Sequence, residues 1–202
     1  MKKYIFLLFL LFVFAQTKAQ DKDEMQTLSG NRKHSGHYFA LNFRSTTIKD
    51  HAAFLGGFKF AWTINRIMSM GFEAHGLVPN IRLDNVSSSR VRPLMGYGGF
   101  FIEPIIASNK VIHVTFPIAV GAGWAGYVKD WNDPAVTDNK VLSDYTFWYI
   151  EPSANLEVNV STRFRVGLGI GYRYLTDLEL LNTNKTDFSG ITYSLMLKFG
   201  RF

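Results

Sequence analysis

From Gly36 to the last residue the chain keeps one rhythm, an apolar position followed by a polar or small one. Such a period of two has a consistent meaning only in extended strands, whose successive side chains point to opposite faces. Eight segments carry it. "HYFALNFRS" sets Phe39, Leu41 and Phe43 against Tyr38, Asn42 and Arg44, and "AAFLGGFKFAWTI" sets Phe54, Phe58, Phe60, Trp62 and Ile64 against Gly57, Lys59, Ala61 and Thr63. "IMSMGFEAHGLV" opposes Met70 and Phe72 to Ser69, Glu73 and His75, and "RPLMGYGGFFIEPIIA" opposes Phe100, Ile102 and Ile106 to Glu103. The fifth segment, from Ile112 to Tyr127, has its even positions apolar and its odd ones polar or small. "YTFWYIEPSANLEVNV", "FRVGLGIGYRYL" and "GITYSLMLKFG" complete the set, with Glu151, Glu157, Arg165, Arg173 and Lys198 on their polar faces.

The fifth segment includes Gly121-Ala-Gly123-Trp-Ala-Gly126, the spelling of a dinucleotide-binding turn. That turn needs a helix opening out of it, so that the helix N-terminus faces a pyrophosphate. Here "VKDWNDPAVTDNK" follows, a loop by composition, and the alternation runs straight through the glycines. The glycines therefore belong to a strand.

Ahead of the alternation, "MKKYIFLLFLLFVFAQTKAQ" places two lysines before an apolar run of about twelve residues, too short for a transmembrane helix and the size of a signal-peptide core. Residues 1–19 read as a signal peptide, 20–35 as a charged, flexible lead-in and 36–202 as one domain. No cysteine is present, so neither disulfides nor an amino-terminal lipid anchor are expected. Of the net charge of +6, three charges (Lys2, Lys3 and Lys18) lie in the signal, and the remaining mild excess, spread along the chain, is no nucleic-acid footprint.

Connections after the second, fourth and sixth segments are about two to four residues long, and those after the third, fifth and seventh about thirteen to fifteen. Tight turns at one end and long loops at the other are the plan of an all-β, eight-stranded antiparallel up-and-down transmembrane β-barrel, in which closure removes the sheet edges. A soluble, lipocalin-like binder would show the same alternation with the apolar face inside. The row Phe39, Phe43, Phe54, Phe58, Phe60, Phe72, Phe116 and Phe164 overfills such an interior, so it faces lipid. Trp62, Trp124, Tyr127, Trp148, Tyr172, Tyr174 and Tyr193 are the expected interface aromatics. Pro104, Pro117 and Pro152 stand against this plan, since each removes a ladder donor inside an expected strand. Ile102-Glu103-Pro104 recurs as Ile150-Glu151-Pro152, a suggestion of a duplicated hairpin.

With its signal, strand pattern and aromatic end "LMLKFGRF", the sequence resembles the small eight-stranded outer-membrane barrels of Gram-negative bacteria, the OmpA and OmpX type, over residues 36–202. The resemblance implies export to the outer membrane, contact with membrane lipid and lipopolysaccharide, and insertion by the barrel-assembly machinery. Such barrels commonly end on an outward Phe. Here Phe202 shares parity with Lys198, and Phe199 falls in the apolar row instead.

The inward set then holds Arg44, Lys59, Arg165, Arg173 and Lys198 with Glu73, Glu103, Glu151 and Glu157, read as an ion network plugging the lumen, with a narrow gated channel as alternative. Two enzymes share the architecture, a lipid A deacylase and a palmitoyltransferase. His113-Val-Thr115 only approaches the His-x-Ser of the first, and His51 with Ser143-Asp144 mimics the second; no catalytic residue is assigned. The five histidines lack metal-ligand spacing, so neither metal nor cofactor is expected. Outer loops of mixed charge are candidate contacts for a surface protein, glycans or, through Arg82, Arg90 and Arg92, lipopolysaccharide phosphates. Envelope structure or surface interaction is the expected role, and no nucleic acid is implicated.

Overall fold

The computed structural model of the chain describes residues 35–48, 51–78, 91–129, 141–176 and 187–202. Residues 1–34, where a signal peptide and lead-in are expected, and Arg82 and Arg90 lie outside the described residues.

Among the described residues nine strands form, β1 (Ser35–Ile48), β2 (His51–Ile64), β3 (Met68–Leu77), β4 (Val91–Ile106), β5 (Ile112–Thr115), β6 (Ile118–Lys129), β7 (Val141–Asn159), β8 (Phe164–Leu175) and β9 (Gly190–Arg201). They make eight barrel staves, because β5 and β6 are two halves of one. Both pair with β4 on one side and β7 on the other, and all pairings are antiparallel. β9 returns to β1, from His37↔Arg201 to Ser45↔Tyr193, and β3 pairs with β4, so the ring closes and leaves no edge.

The prolines explain the broken stave. Pro117 has no N–H to give, and pairing stops at Phe116 and Pro117 without any slip of register. Its carbonyl is still used, accepting from the Ser153 backbone N–H at 2.9 Å, and Phe116 N–H donates to the Pro104 carbonyl at 3.0 Å. Likewise the β7–β8 ladder skips Glu151 and Pro152 between Ile150↔Tyr174 and Ser153↔Gly171. The expected fifth strand is thus interrupted, but the wall it belongs to is continuous.

The short-turn end carries the start of β1, the end of β9 and three tight connections. Between β2 and β3, Asn65 (φ 51°) and Arg66 (φ 60°) form a two-residue turn in which Ile67 N–H donates to the Ile64 carbonyl at 3.1 Å. Arg66 occupies the left-handed position that glycine fills at no steric cost, where a side chain costs about 1–2 kcal/mol.

The two faces divide as the alternation requires. Phe39, Phe43, Phe54, Phe58, Phe60, Phe72 and Phe116 are exposed on the outer wall, while Tyr38, Lys59, Glu103, Glu157 and Arg173 are buried within. Outward rings pack against each other, Phe39 on Phe58 at 6.3 Å and Phe164 on Phe199 at 4.8 Å between centroids. Placing a charge in this row should cost what hydrocarbon exacts for one. Phe72→Arg, on a central stretch of β3, is expected to lose about 2–4 kcal/mol in equilibrium unfolding from lipid vesicles, whereas a soluble barrel would tolerate an arginine at this exposed position.

Candidate functional site

The lumen holds two polar clusters, with the buried ring of Phe101 beside the second. Nearer the short turns, Lys198 on β9 reaches across to two carboxylates, Glu103 on β4 at 2.6 Å and Glu157 on β7 at 2.5 Å. Tyr38 donates its hydroxyl to Glu103, and its ring lies under the Lys198 ammonium at 4.6 Å. Glu157 also accepts from Thr115 at 3.2 Å, which in turn accepts from Asn155 at 3.0 Å. His113 Nε2 sits 3.3 Å from Glu157 Oε2 and 3.4 Å from Arg165 Nη1.

Toward the long loops, Lys59 pairs with Glu73 at 2.7 Å, its direct neighbour across the β2–β3 ladder, and its ammonium lies 4.6 Å from the Phe101 ring centre. Arg44 meets Glu151 at 2.8 Å and Glu73 at 3.5 Å, and donates to the Tyr97 hydroxyl at 2.9 Å. Thr192 adds a bond to Glu151 at 3.1 Å, and Tyr149 a long one to Glu73 at 3.4 Å. Each carboxylate therefore has a cation and at least one hydroxyl or imidazole beside it, which is what desolvated charges need.

Two of the nine expected network members are held differently. No carboxylate of the described residues pairs with Arg165 or Arg173. Arg165 stacks on the ring of Phe202 at 3.8 Å. Arg173 donates Nε and Nη2 to the Phe188 carbonyl, at 3.2 and 2.9 Å, and Nη1 to Tyr97 at 3.2 Å. Phe188 is fully buried, entering the lumen just before β9, and Phe202 packs on Tyr38 with ring centres 5.7 Å apart. Each end of the polar column is thus covered by a phenylalanine that an arginine holds.

The interface aromatics separate into two groups. Trp62, Trp148, Tyr172, Tyr174 and Tyr193 are exposed on the outer wall, and Trp124 is half-buried with its indole N–H donating to Asp144 at 3.1 Å. Tyr127 is a correction. It lies on the odd, inward parity of β6 and is 1% exposed, part of an aromatic cluster with Tyr97, Phe147 and Tyr149 inside the long-loop end. Arg92, which begins the expected fourth segment and was also an expected loop contact, is the second residue of β4, and its side chain is 6% exposed. Its parity matches Leu94 by number, but the ends of β4 follow the wall less strictly than its centre.

Of the residues that resemble catalytic groups, His51 is exposed at the first residue of β2, Asp144 accepts from the Trp124 indole, and His113 and Thr115 both lie inward against Glu157. Among the described residues no group of three or more His, Asp or Glu could hold a metal ion. Sequence reading placed Tyr38, His75, His113 and Tyr149 on the inward face without giving them partners; their parity with the charged residues was the signal.

No family model and no curated protein matches the sequence. Solved structures do. The chain superposes on the N-terminal β-barrel domain of Pseudomonas aeruginosa OprF with a TM-score of 0.51 and 9% identity, covering 83% of this chain and 98% of that one. Ail, the attachment invasion locus protein of Yersinia pestis, gives 0.51 and 11%, with 84% and 98% covered. It is matched also in complex with the heparin analogue sucrose octasulfate, at 0.51 and 12%, with 82% and 97% covered. Neisserial surface protein A gives 0.51 and 9%, with 82% and 94% covered. With closure into eight staves, an outward apolar wall and these neighbours together, the fold is that of the small outer-membrane β-barrels.

Proposed function

We propose that the chain is an integral outer-membrane protein with a closed lumen, a rigid wall that presents its long loops for contact at the cell surface. The observation that carries this reading is the inversion of the two faces. Large apolar side chains stand exposed all round the outer wall while lysines, arginines and glutamates are buried at its centre. Such a surface is insoluble in water and at rest in hydrocarbon. The interior supports closure to solutes, because paired charges and rings occupy it from Phe202 to Phe188.

A surface role is supported by the long connections, all three at the end opposite the tight turns, and by the polyanion bound to Ail on the same fold. Arg82 and Arg90 are the arginines of this chain that such a contact would use, Arg92 being committed to the wall. The reading includes no catalysis; Thr115 and Asp144, two of the residues that resemble catalytic groups, are bonded to Glu157 and Trp124.

Fractionation with heat-modifiable gel migration, followed by planar-bilayer recording, tests it. The protein is expected in the outer-membrane fraction, migrating differently unheated and boiled, without stable large-conductance steps. A folded monomer in plain buffer would overturn the membrane assignment; large steps would overturn the closed lumen.

A further inference from the structure

The rim at the short-turn end carries a pattern that neither the wall nor the lumen uses. Each of its three tight connections exposes one cation beside one large aliphatic side chain: Arg66 with Ile67, Lys110 with Val111, and Arg163 with Val160. These aliphatic residues are between 58% and 68% exposed, more than most of the outer wall. Arg201, exposed at the end of β9, adds a fourth cation where the barrel closes. Because the connections join β2 to β3, β4 to β5 and β7 to β8, the cations are distributed around the mouth rather than gathered on one side.

No acidic side chain among the described residues pairs with a cation of this rim. Arg66 Nε donates to a Phe202 main-chain oxygen at 3.3 Å. The described acidic side chains lie elsewhere, Glu73, Glu103, Glu151 and Glu157 in the lumen, Asp144 and Asp187 at the long-loop end. In the lead-in, Asp21, Asp23 and Glu24 are matched by Lys22, Arg32 and Lys33, so that stretch brings no net negative charge. Arg66 is also held at φ 60°, where glycine would fit without strain.

We propose that this rim is a docking surface for anionic phospholipid headgroups in the leaflet facing the short turns. The inference rests on the membrane reading above. The aliphatic side chains enter the boundary between headgroups and acyl chains, and the cations beside them meet phosphates at the same depth. Arginine is suited to this because its planar fork takes two phosphate oxygens at once. The chemistry selects negative headgroups, since a zwitterionic one offers the same phosphate with its charge already balanced.

The test uses the full mature chain folded into phosphatidylcholine vesicles containing a minor fraction of phosphatidylglycerol. Spin-labelled analogues of the two lipids report which one is enriched at the protein surface. Wild type should prefer phosphatidylglycerol by about fivefold per engaged cation at low ionic strength, with the preference fading in high salt. Replacing Arg66, Lys110, Arg163 and Arg201 together by Gln should abolish it, and replacing the three arginines by Lys should retain most of it. Heat-modifiable migration confirms in each case that the barrel is folded, so failure to enter the membrane is distinguished from failure to select a lipid. Equal association of both lipids with folded wild type overturns the proposal. So does a preference that survives in the four-Gln variant, or one that appears only when residues 20–34 are removed, which would make the lead-in the occupant.

Discussion

Replacing Lys198 by methionine is expected to lower the unfolding free energy by about 3–5 kcal/mol, measured by denaturant titration from lipid vesicles with tryptophan fluorescence. Lys198 is the only cation within ion-pair distance of Glu103 among the described residues, and it holds Glu157 as well. Methionine fills much the same volume, so little of the loss comes from a cavity. The loss comes from two carboxylates left facing each other across a dry lumen, with Tyr38, Thr115 and His113 as their remaining partners. The triple variant Lys198→Met, Glu103→Gln, Glu157→Gln should therefore recover most of the stability, because the charges that need a partner are gone. A loss below about 1 kcal/mol in the single variant would mean that water reaches these carboxylates, as at an exposed ion pair, and that the column is not closed.

Which face each residue occupies was legible in the alternation, and pairing across the lumen was not. Arg44 and Glu151 stand on one inward face but 107 positions apart in the chain. Period two says that both point inward; the stagger of the strands, which sets their relative height, leaves no trace in composition. Lys59 and Glu73 are the exception. They oppose each other directly across a hairpin whose turn, Asn65-Arg66, was readable, so turn position alone fixes their contact.

The misplacements share a cause. Tyr127 was assigned to the interface because it lies close to a long loop, although its odd number put it on the inward row with Gly121 and Gly123. Near the barrel's mouth, distance along the strand and parity gave opposite answers, and parity decided, since the inward ring joins the buried core that also holds Phe147 and Tyr97. Arg92 falls where the expected fourth segment and the expected outer loop overlap, and ladder pairing with Val128 puts it in the strand. Arg173 lacked any readable partner because it binds a main-chain carbonyl, which every residue possesses and no sequence marks.

Gly121→Val is expected to prevent closure of the wall, costing about 3 kcal/mol or more and leaving little protein at the heat-modifiable position after refolding. Gly121 on β6 and Gly99 on β4 are direct partners, both inward. A Cβ on Gly121 would land on the Gly98 carbonyl oxygen and 2.5 Å from the Gly99 Cα; one on Gly99 would land on the Val120 carbonyl oxygen. Backbone cannot step aside there without opening the β4–β6 ladder. One step along, a Cβ on Gly123 would come 2.5 Å from both the Phe147 ring and Tyr97 Cβ, so the same small row also seats the aromatics of the neighbouring strands. Gly76→Ala is the matched control, since nothing lies within 4 Å of the added methyl. If Gly121→Val refolds as fully as Gly76→Ala, close strand approach is not what these glycines provide. A failure confined to Gly121 assigns the glycines of the G-x-G-x-x-G spelling to a narrow, ring-filled barrel, where the missing side chains are the space that Tyr97 and Phe147 occupy.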